Sequence, residues 1–363
     1  MEAVPYIFLD SIYALLGESS IEELGMIDDK CLDFLSCDYL EKIQSIAFDI
    51  GASDGSLNYM FNYYYKLTYF SRMTFAEVKA VDSRYLRLKC LRYDAGDARI
   101  IVAQEELLEK VDFVRDHLTS DCHLVLVGDN TPFIRSLYRK LHGILIGSVI
   151  MRYQSEDSIA FLDYYVNSSS PRKNITLVGK NWPEAVIPIL KKVVLLPSLY
   201  ELDVTSTTLS FDASFFQDFI DQWNAGNIVE WHKYATFDTN FRFPQETLTS
   251  QLDSAVLIAE ENRNTYLFRS PNNSKLILDI TFYNNRIAIR QRLCTCGSEQ
   301  ISKDSCEIHF GYPLYHSKLF VRNDFISNEI KPLRKTSRPF SFAIQSILSW
   351  DLLCAVIRLS FEC

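Results

Sequence analysis

Apolar, strand-like runs recur roughly every 23 to 27 residues through the middle of this chain. They occupy residues 100–102, 123–127, 148–151, 174–178, 201–204 and 227–231. Each run is separated from the next by a helix-forming stretch. Strands separated by helices pair in parallel, because the chain must cross back before it continues in the same direction. A near-constant spacing of this size is typical of repeat proteins and of regular β/α layering, so it predicts an α/β fold.

The helical segments fall at residues 105–117, 132–141, 157–166, 182–194 and 213–223. Pro183 stands near the start of its segment, where a missing N–H costs little. Pro188 lies deeper, and we expect it to kink or shorten that helix. The repeat length is compatible with leucine-rich repeats, although their leucine consensus is not kept. We therefore expect a leucine-rich-repeat-like β/α array within a domain spanning residues 46–235. Further strands are predicted at residues 45–50, 78–82 and 85–91.

Residues 1–45 form a small helical unit in this interpretation. Phe8, Ile12, Leu15 and Leu16 share one face of a helix, because they are spaced at helical intervals. Residues 20–23 carry a capping-box pattern that opens a second helix, and a third short helix is expected near residues 29–35. Three short helices bury too little surface to be stable alone.

Residues 236–330 are predicted to form an α+β, strand-rich segment after the array. Within it we expect a loop, a helix and a β-hairpin, at residues 236–249, 250–260 and 276–290 respectively. Residues 331–363 begin as a basic linker and continue as an apolar tail. That tail carries Gln345, Asp351 and Arg358, so we expect a docked amphipathic helix rather than a membrane span.

The net charge of −9 and the pI near 5.3 argue against a general binder of nucleic acid or of anionic membranes, which needs basic faces. Nine cysteines are scattered along the chain, and the first residues show no signal-peptide pattern. We therefore expect a cytoplasmic protein with reduced thiols. The aromatic run at residues 59–65 has few basic neighbours, so a core or interface role is favoured over base stacking.

Two local patterns suggest chemistry only weakly. The segment at residues 48–55 resembles the first motif of class I methyltransferases, and this resemblance implies that Asp49, Asp82 and Asp97 would face S-adenosylmethionine. The alternative interpretation is an ordinary turn after a strand, in which glycine supplies positive φ. Cys294, Cys296, Cys306 and His309 are four soft ligands, but the Cys-x-Cys spacing is not a usual zinc knuckle. We expect no metal, no cofactor and no enzyme activity.

Val4-Pro5, followed by Phe8, Ile12, Leu15 and Leu16, resembles a degenerate F-box. The segments at residues 1–5, 175–183, 209–216 and 223–226 are similar to nematode families of F-box-associated proteins. This resemblance implies a protein-interaction module that recruits substrates to a cullin-type ubiquitin ligase. Val4, Pro5 and the four apolar residues would then bind the linker subunit of the ligase, and the β/α array would bind an unknown protein target.

Overall fold

The computed structural model describes most of the chain up to residue 293. The described residues are Leu9, Ile12, Tyr13 and Leu16, and the ranges 18–27, 30–53, 56–65, 68–94, 100–129, 131–170, 173–225, 236–252, 256–260, 263–270, 276–283 and 286–293. The helices are α1 (Glu18–Gly25), α2 (Lys30–Lys42), α3 (Phe75–Ala80), α4 (Gln104–Arg115), α5 (Thr131–Leu141), α6 (Glu156–Asn167), α7 (Ile187–Val194), α8 (Ala213–Asn224) and α9 (Gln245–Thr249).

Fourteen strands form one continuous mixed sheet. They are β1 (Gln44–Ser53), β2 (Ser56–Tyr65), β3 (Thr68–Met73), β4 (Leu86–Asp94), β5 (Ile100–Val102), β6 (Leu118–Leu126), β7 (Ser148–Arg152), β8 (Lys173–Val178), β9 (Leu199–Ser206), β10 (Thr236–Asn240), β11 (Val256–Glu260), β12 (Arg263–Arg269), β13 (Leu276–Tyr283) and β14 (Arg286–Leu293).

The centre of the sheet is parallel and follows chain order. β1, β4, β6, β7, β8, β9 and β10 are successive neighbours that all run in one direction. Helices α4 to α9 connect or flank these strands, and each contacts the next helix along the chain. One edge continues as the antiparallel strands β2, β3 and β5, and the other as the antiparallel series β14, β13, β12 and β11.

One face of the sheet packs against the helices and forms the main hydrophobic core. A single cross-strand row illustrates its composition: Phe48, Leu91, Leu124, Val149, Ile175 and Leu202 are in register and buried. Alternation of buried and partly exposed residues along β7 and β8 places the intervening side chains on the opposite face. We call this opposite face the outer face of the sheet.

The predicted α/β fold class, with N-terminal helices followed by alternating strands and helices, is confirmed. The helices expected at residues 105–117, 132–141, 157–166 and 213–223 are present as α4, α5, α6 and α8. The fifth is shortened: a 3₁₀ turn, Glu184–Val186, precedes α7, and Pro188 lies in the first turn of α7, where it displaces no helix hydrogen bond.

Two strand predictions were wrong. Residues 78–82 were expected to form a strand, but residues 75–80 form α3, because Thr74 and Glu77 build a complete capping box at its start. Residues 100–102 were expected to open the parallel array, but β5 pairs antiparallel with β2 at the edge. A three-residue apolar run does not encode its pairing partner, so the sequence alone does not fix this position.

Two predictions in the segment after residue 235 were also wrong. The expected loop at residues 236–249 contains β10, which pairs with both β9 and β14, and the helix α9. The expected helix at residues 250–260 instead contains the strand β11. The polar residues of this region mislead a composition-based prediction, because β10 lies between two strands that supply its partners. The hairpin prediction is confirmed by the antiparallel pair β13 and β14.

Several expectations fall outside the described residues. These are the strand at residues 227–231, the cysteine and histidine set at 294–309, the basic linker at 331–339 and the apolar tail at 340–363. Within the described part of the chain, no helix combines the length and apolar character needed to cross a bilayer.

Candidate functional site

The N-terminal helices form a unit with its own small hydrophobic core. That core consists of Tyr13, Ile21, Leu35, Tyr39 and Ile43, with Leu9, Leu16, Leu24, Leu32 and Tyr85 packed around it. Leu32, Leu35 and Tyr39 lie on one face of α2 at helical spacing, so this face is turned inward. The Tyr13 hydroxyl lies 3.0 Å from the carbonyl oxygen of Leu32 and 2.9 Å from Ser36 Oγ, which satisfies its polar end.

Four large apolar side chains of this unit are exposed: Leu40 near the end of α2 is 36% exposed, and the other three lie in or after the connection between α1 and α2. Met26 is 78% exposed, Ile27 49% and Phe34 65%. Met26 and Ile27 lie in the connection after α1, and Phe34 lies about one turn into α2. We call these three residues the apolar end of the unit. Several exposed large apolar side chains within one small unit make it a candidate protein-binding surface, whereas single exposed residues are common.

Arg87 joins the helical unit to the sheet. Its guanidinium is 2% exposed and donates to the carbonyl oxygens of Tyr13 and Leu16, each at 3.0 Å. It also donates to the carbonyls of Arg84 at 2.7 Å and Leu86 at 3.0 Å. A buried cation is stable when its donors are satisfied, and the C-terminal carbonyls of a helical segment favour positive charge. Arg87 therefore fixes the orientation of the unit on β4.

A shallow cleft of about 510 Å³ lies at the same junction, between the end of α2 and the start of β1. Lys42, Tyr63, Asp82 and Tyr85 are among the residues that line it. Two of its charged residues have ion-pair partners: Arg84 holds Asp82 at 2.7 Å, and Lys42 pairs with Asp38 on α2. The cleft is large enough for a side chain of a partner, but its lining does not define a ligand class.

The outer face of the sheet holds a second, buried group of apolar residues. Ala47, Cys90 and Val125 form a small apolar cluster there with Val127 and Ile150, and every one of these residues lies on a strand or directly after one. Burial raises the pKa of the Cys90 thiol to about 12, so this thiol stays protonated at neutral pH and is not a nucleophile. The cluster therefore contributes apolar packing and provides no reactive group.

A buried polar group borders that cluster. Asp49 on β1 is opposite Arg92 on β4, and both Nε and Nη2 of Arg92 lie 2.8 Å from Asp49 Oδ1. Asn62 Nδ2 donates to Asp49 Oδ2 at 2.7 Å. Burial raises the pKa of the Asp49 carboxyl above its usual value, and the adjacent Arg92 guanidinium opposes this rise. The arrangement is a satisfied structural ion pair.

The residues of the methyltransferase resemblance are arranged differently from what it implies. Asp49 lies in the middle of β1, which runs directly into a hairpin with β2 rather than into a helix. Asp82 follows α3, is exposed, and is bound by the Arg84 side chain. Asp97 lies outside the described residues. This geometry provides no helix N-terminus next to Asp49, and therefore gives the methyltransferase alternative no support.

The predicted linker-binding residues are placed as follows. Val4, Pro5, Phe8 and Leu15 lie outside the described residues. Ile12 is half-buried, and Leu16 is half-buried against the core of the helical unit. The structure thus adds the apolar end, which the sequence reasoning missed. A usable signal exists: Phe34 falls outside the inward stripe of Leu32, Leu35 and Tyr39 on α2.

The aromatic residues singled out in the sequence are core residues where their side chains are described, apart from Tyr63, which is half-buried and lines the cleft. Tyr59 and Phe61 of β2 pack with Phe48, whose ring is stacked on Phe61 at 4.4 Å. Trp182 is buried and donates from Nε1 to the Val178 carbonyl at 3.0 Å. Phe215 and Phe216 are buried in the main core. These aromatics stabilise the layers and do not form the candidate surface.

Among the side chains that the structure describes, no group of three or more histidine, cysteine, aspartate or glutamate residues is placed to hold a metal ion. None of the family models, curated proteins or solved structures compared with this chain matches it.

Proposed function

We propose that this chain is a cytoplasmic protein-interaction module that recruits substrates to a cullin-type ubiquitin ligase. The observation that supports the proposal is the apolar end of the N-terminal unit, where Met26, Ile27 and Phe34 are exposed. In this proposal the ligase linker subunit covers the apolar end, together with Val4, Pro5, Phe8, Ile12, Leu15 and Leu16 of the preceding segment.

The expected strength of docking follows from apolar burial. Complete burial of a large apolar side chain contributes about 1.5–3 kcal/mol. Phe34 is the largest of the three exposed side chains, so its loss is expected to weaken binding by about 10- to 100-fold. A charged replacement adds the cost of desolvating a carboxylate and therefore gives the upper end of this range.

The rigid attachment of the unit supports the same proposal. An adaptor must hold its target at a fixed position relative to the ligase, and Arg87 anchors the helical unit to β4 through the carbonyls of Tyr13 and Leu16. In this proposal the β/α array then presents the target.

The test is calorimetric titration of the full chain with a purified linker subunit. We expect saturable binding by the wild-type chain and a loss of about 10-fold or more in affinity for Phe34→Glu. Leu145→Glu is the matched control, because Leu145 is also an exposed apolar residue, 44% exposed, and lies between α5 and β7.

No heat of binding with the wild-type chain would refute the ligase proposal. Equal affinities for Phe34→Glu and Leu145→Glu would show that the apolar end is not the docking surface. Circular dichroism of each variant establishes that it is folded, which is expected because both positions are exposed.

A further inference from the structure

Strand β5 carries two adjacent exposed isoleucines at one edge of the sheet. Ile100 is 45% exposed and Ile101 is 73% exposed. β5 pairs with β2, and no other strand that the structure describes pairs with it. In an antiparallel pair, alternate residues direct their backbone N–H and C=O groups to the partner strand, and the others direct them away from it. Among the described residues, the far side of β5 is therefore an edge that can accept a further strand.

The two isoleucines point to opposite faces of the sheet. Ile100 is opposite Tyr59 of β2, whose side chain belongs to the main core, so Ile100 points toward the helical layer. Ile101 is opposite Asn58 and points to the outer face. An added strand would therefore meet one exposed isoleucine on each face.

The helical side of this edge is acidic. Helix α4 begins two residues after β5 and carries Glu105, Glu106 and Glu109 in its first two turns, all of them exposed. α4 lies over the β2–β5 pair, because Lys110 Nζ is 4.8 Å from the centre of the Tyr59 ring. Lys110 is buried and paired with Glu106 at 2.7 Å. Glu105 and Glu109 have no ion-pair partner among the described residues, so the first turns of α4 keep a net negative charge.

The outer side of the same edge has a different character. β3 lies on the same side of β2 as β5, and its exposed Arg72 is opposite Asn62. Asn62 and Asn58 are four residues apart on β2, so Arg72 and Ile101 share the outer face. A partner strand therefore meets carboxylates on its helical side, and an isoleucine and a positive charge on its outer side.

We infer that this edge binds an extended segment of a partner protein in which a basic residue alternates with an apolar residue. The segment adds to β5 as a further strand and gains backbone hydrogen bonds, as in other cases of peptide binding at a sheet edge. Successive side chains of a strand point to opposite faces, so an alternating segment places its basic side chains beside α4 and its apolar side chains beside Ile101. The aliphatic part of a lysine side chain covers Ile100 while its ammonium group faces the carboxylates of α4.

A second copy of this chain fits the edge less well than a basic segment does. Antiparallel pairing of two β5 strands would place two acidic α4 helices on the same face, one on each side of the new strand pair. Like charges across an interface oppose association, and each chain carries a net charge of −9. The inference does not depend on the ligase proposal, because it concerns the opposite surface of β2 from the one that pairs with β1 and not the apolar end.

The experiment measures fluorescence polarisation of a labelled nonapeptide of alternating lysine and valine, with lysine at both ends, upon addition of the full chain. We expect saturable binding that weakens as salt is raised from about 0.05 M to about 0.5 M. Ile101→Lys should lower the affinity by about 10-fold or more, because it replaces an apolar contact with a like charge at the edge. Leu145→Lys is the matched control, because Leu145 is an exposed apolar residue between α5 and β7.

The charge of α4 is tested separately. Glu105→Gln/Glu109→Gln should lower the affinity for the nonapeptide by about 5-fold, whereas the control Glu156→Gln/Glu184→Gln, with two exposed carboxylates removed elsewhere, should not. A nonapeptide with glutamate in place of lysine should bind at least about 10-fold more weakly. Equal affinities for the two peptides, or for the two double variants, would overturn the inference of a basic partner.

Hydrogen exchange of the wild-type chain locates the bound peptide without any substitution. Protection of β5 amides by the nonapeptide, with the apolar end unchanged, is the expected result. Absence of binding, protection confined to other elements, or equal affinities for Ile101→Lys and Leu145→Lys would each overturn the inference. A dimer in sedimentation velocity that the nonapeptide dissociates would assign the edge to a second copy and would also overturn it.

The two proposals fail separately. Calorimetry with the linker subunit reports on Phe34, and polarisation with the nonapeptide reports on Ile101. A chain that binds the nonapeptide but no linker subunit would retain the inference about β5 and lose the ligase proposal.

Discussion

Replacing Arg87 with methionine removes the buried contact that joins the N-terminal unit to the sheet. The methionine side chain fills similar space but donates no hydrogen bond, so the carbonyls of Tyr13, Leu16, Arg84 and Leu86 each lose the hydrogen bond from Arg87. Hydrogen bonds from a charged donor contribute about 1.5–3 kcal/mol each. Counting only the two long-range bonds at about 1.5–2 kcal/mol each, the free energy of unfolding should fall by about 3–4 kcal/mol.

The assay combines urea unfolding followed by circular dichroism with hydrogen exchange of the N-terminal unit. Amides of α1 and α2 should exchange faster in Arg87→Met, while those of β6 to β8 should change little under native conditions. The free energy of unfolding of Arg87→Lys should lie between those of the wild type and Arg87→Met, because an ammonium group lacks the planar donor array of a guanidinium group.

Arg84→Met is the control for this prediction, because Arg84 lies three residues away and its side chain is exposed. The free energy of unfolding of Arg84→Met and its hydrogen exchange should remain close to those of the wild type. The reasoning is refuted if Arg87→Met unfolds at the same urea concentration as Arg84→Met. It is also refuted if the loss of stability leaves exchange in α1 and α2 unchanged.

Two further predictions concern single residues of the array. An added Cβ at Gly147 would lie 2.1 Å from the Ser120 carbonyl oxygen, so Gly147→Ala should lower the melting temperature. The decrease should be markedly larger than for Gly143→Ala, because Gly143 has φ of +91° but nothing within 4 Å of an added Cβ. Equal decreases in the two variants would contradict the close approach at Gly147. Burial lowers the pKa of His117 in the folded chain below its usual value. Between this lowered pKa and the usual value near about 6.5, the unfolded chain binds more protons than the folded chain. The free energy of unfolding of the wild type should therefore fall as pH drops below about 6.5. His117→Gln should reduce this loss of stability at low pH. If the urea midpoint of the variant depends on pH as that of the wild type does, His117 is not the group responsible.

The parts of the fold that the sequence predicts well are those where burial repeats along the chain. In β7, Val149 and Met151 are buried, and Ser148 and Ile150 are partly exposed, which is the alternation expected of a strand with one face on helices. The helices between the strands carry apolar stripes for the same reason, as in α8, where Phe215, Phe216 and Phe219 are buried. Local pattern and tertiary environment agree in this region.

The wrong secondary-structure predictions have two causes, one local and one long-range. Residues 78–82 have the apolar content of a strand, but the capping box of Thr74 and Glu77 starts a helix one turn earlier. β10 has a polar sequence and is nevertheless a strand, because β9 and β14 offer hydrogen-bonding partners on both sides. Cross-strand pairing is a long-range property, so single-sequence patterns do not contain it.

The candidate surfaces were predicted only in part. The small helical unit at the N-terminus was anticipated from spacing and capping, but the exposed positions of Met26, Ile27 and Phe34 became evident only from the packing of α1 and α2.

In the proposed function, the apolar end of the N-terminal unit binds a ligase linker subunit. The most direct measurement is hydrogen exchange of the full chain with and without a saturating amount of that subunit. We expect the subunit to protect amides in the connection containing Met26 and Ile27 and in the first turns of α2 around Phe34. Hydrogen exchange in β7 and β8 should be unchanged. Protection confined to other elements, or no protection in the presence of the subunit, would contradict it.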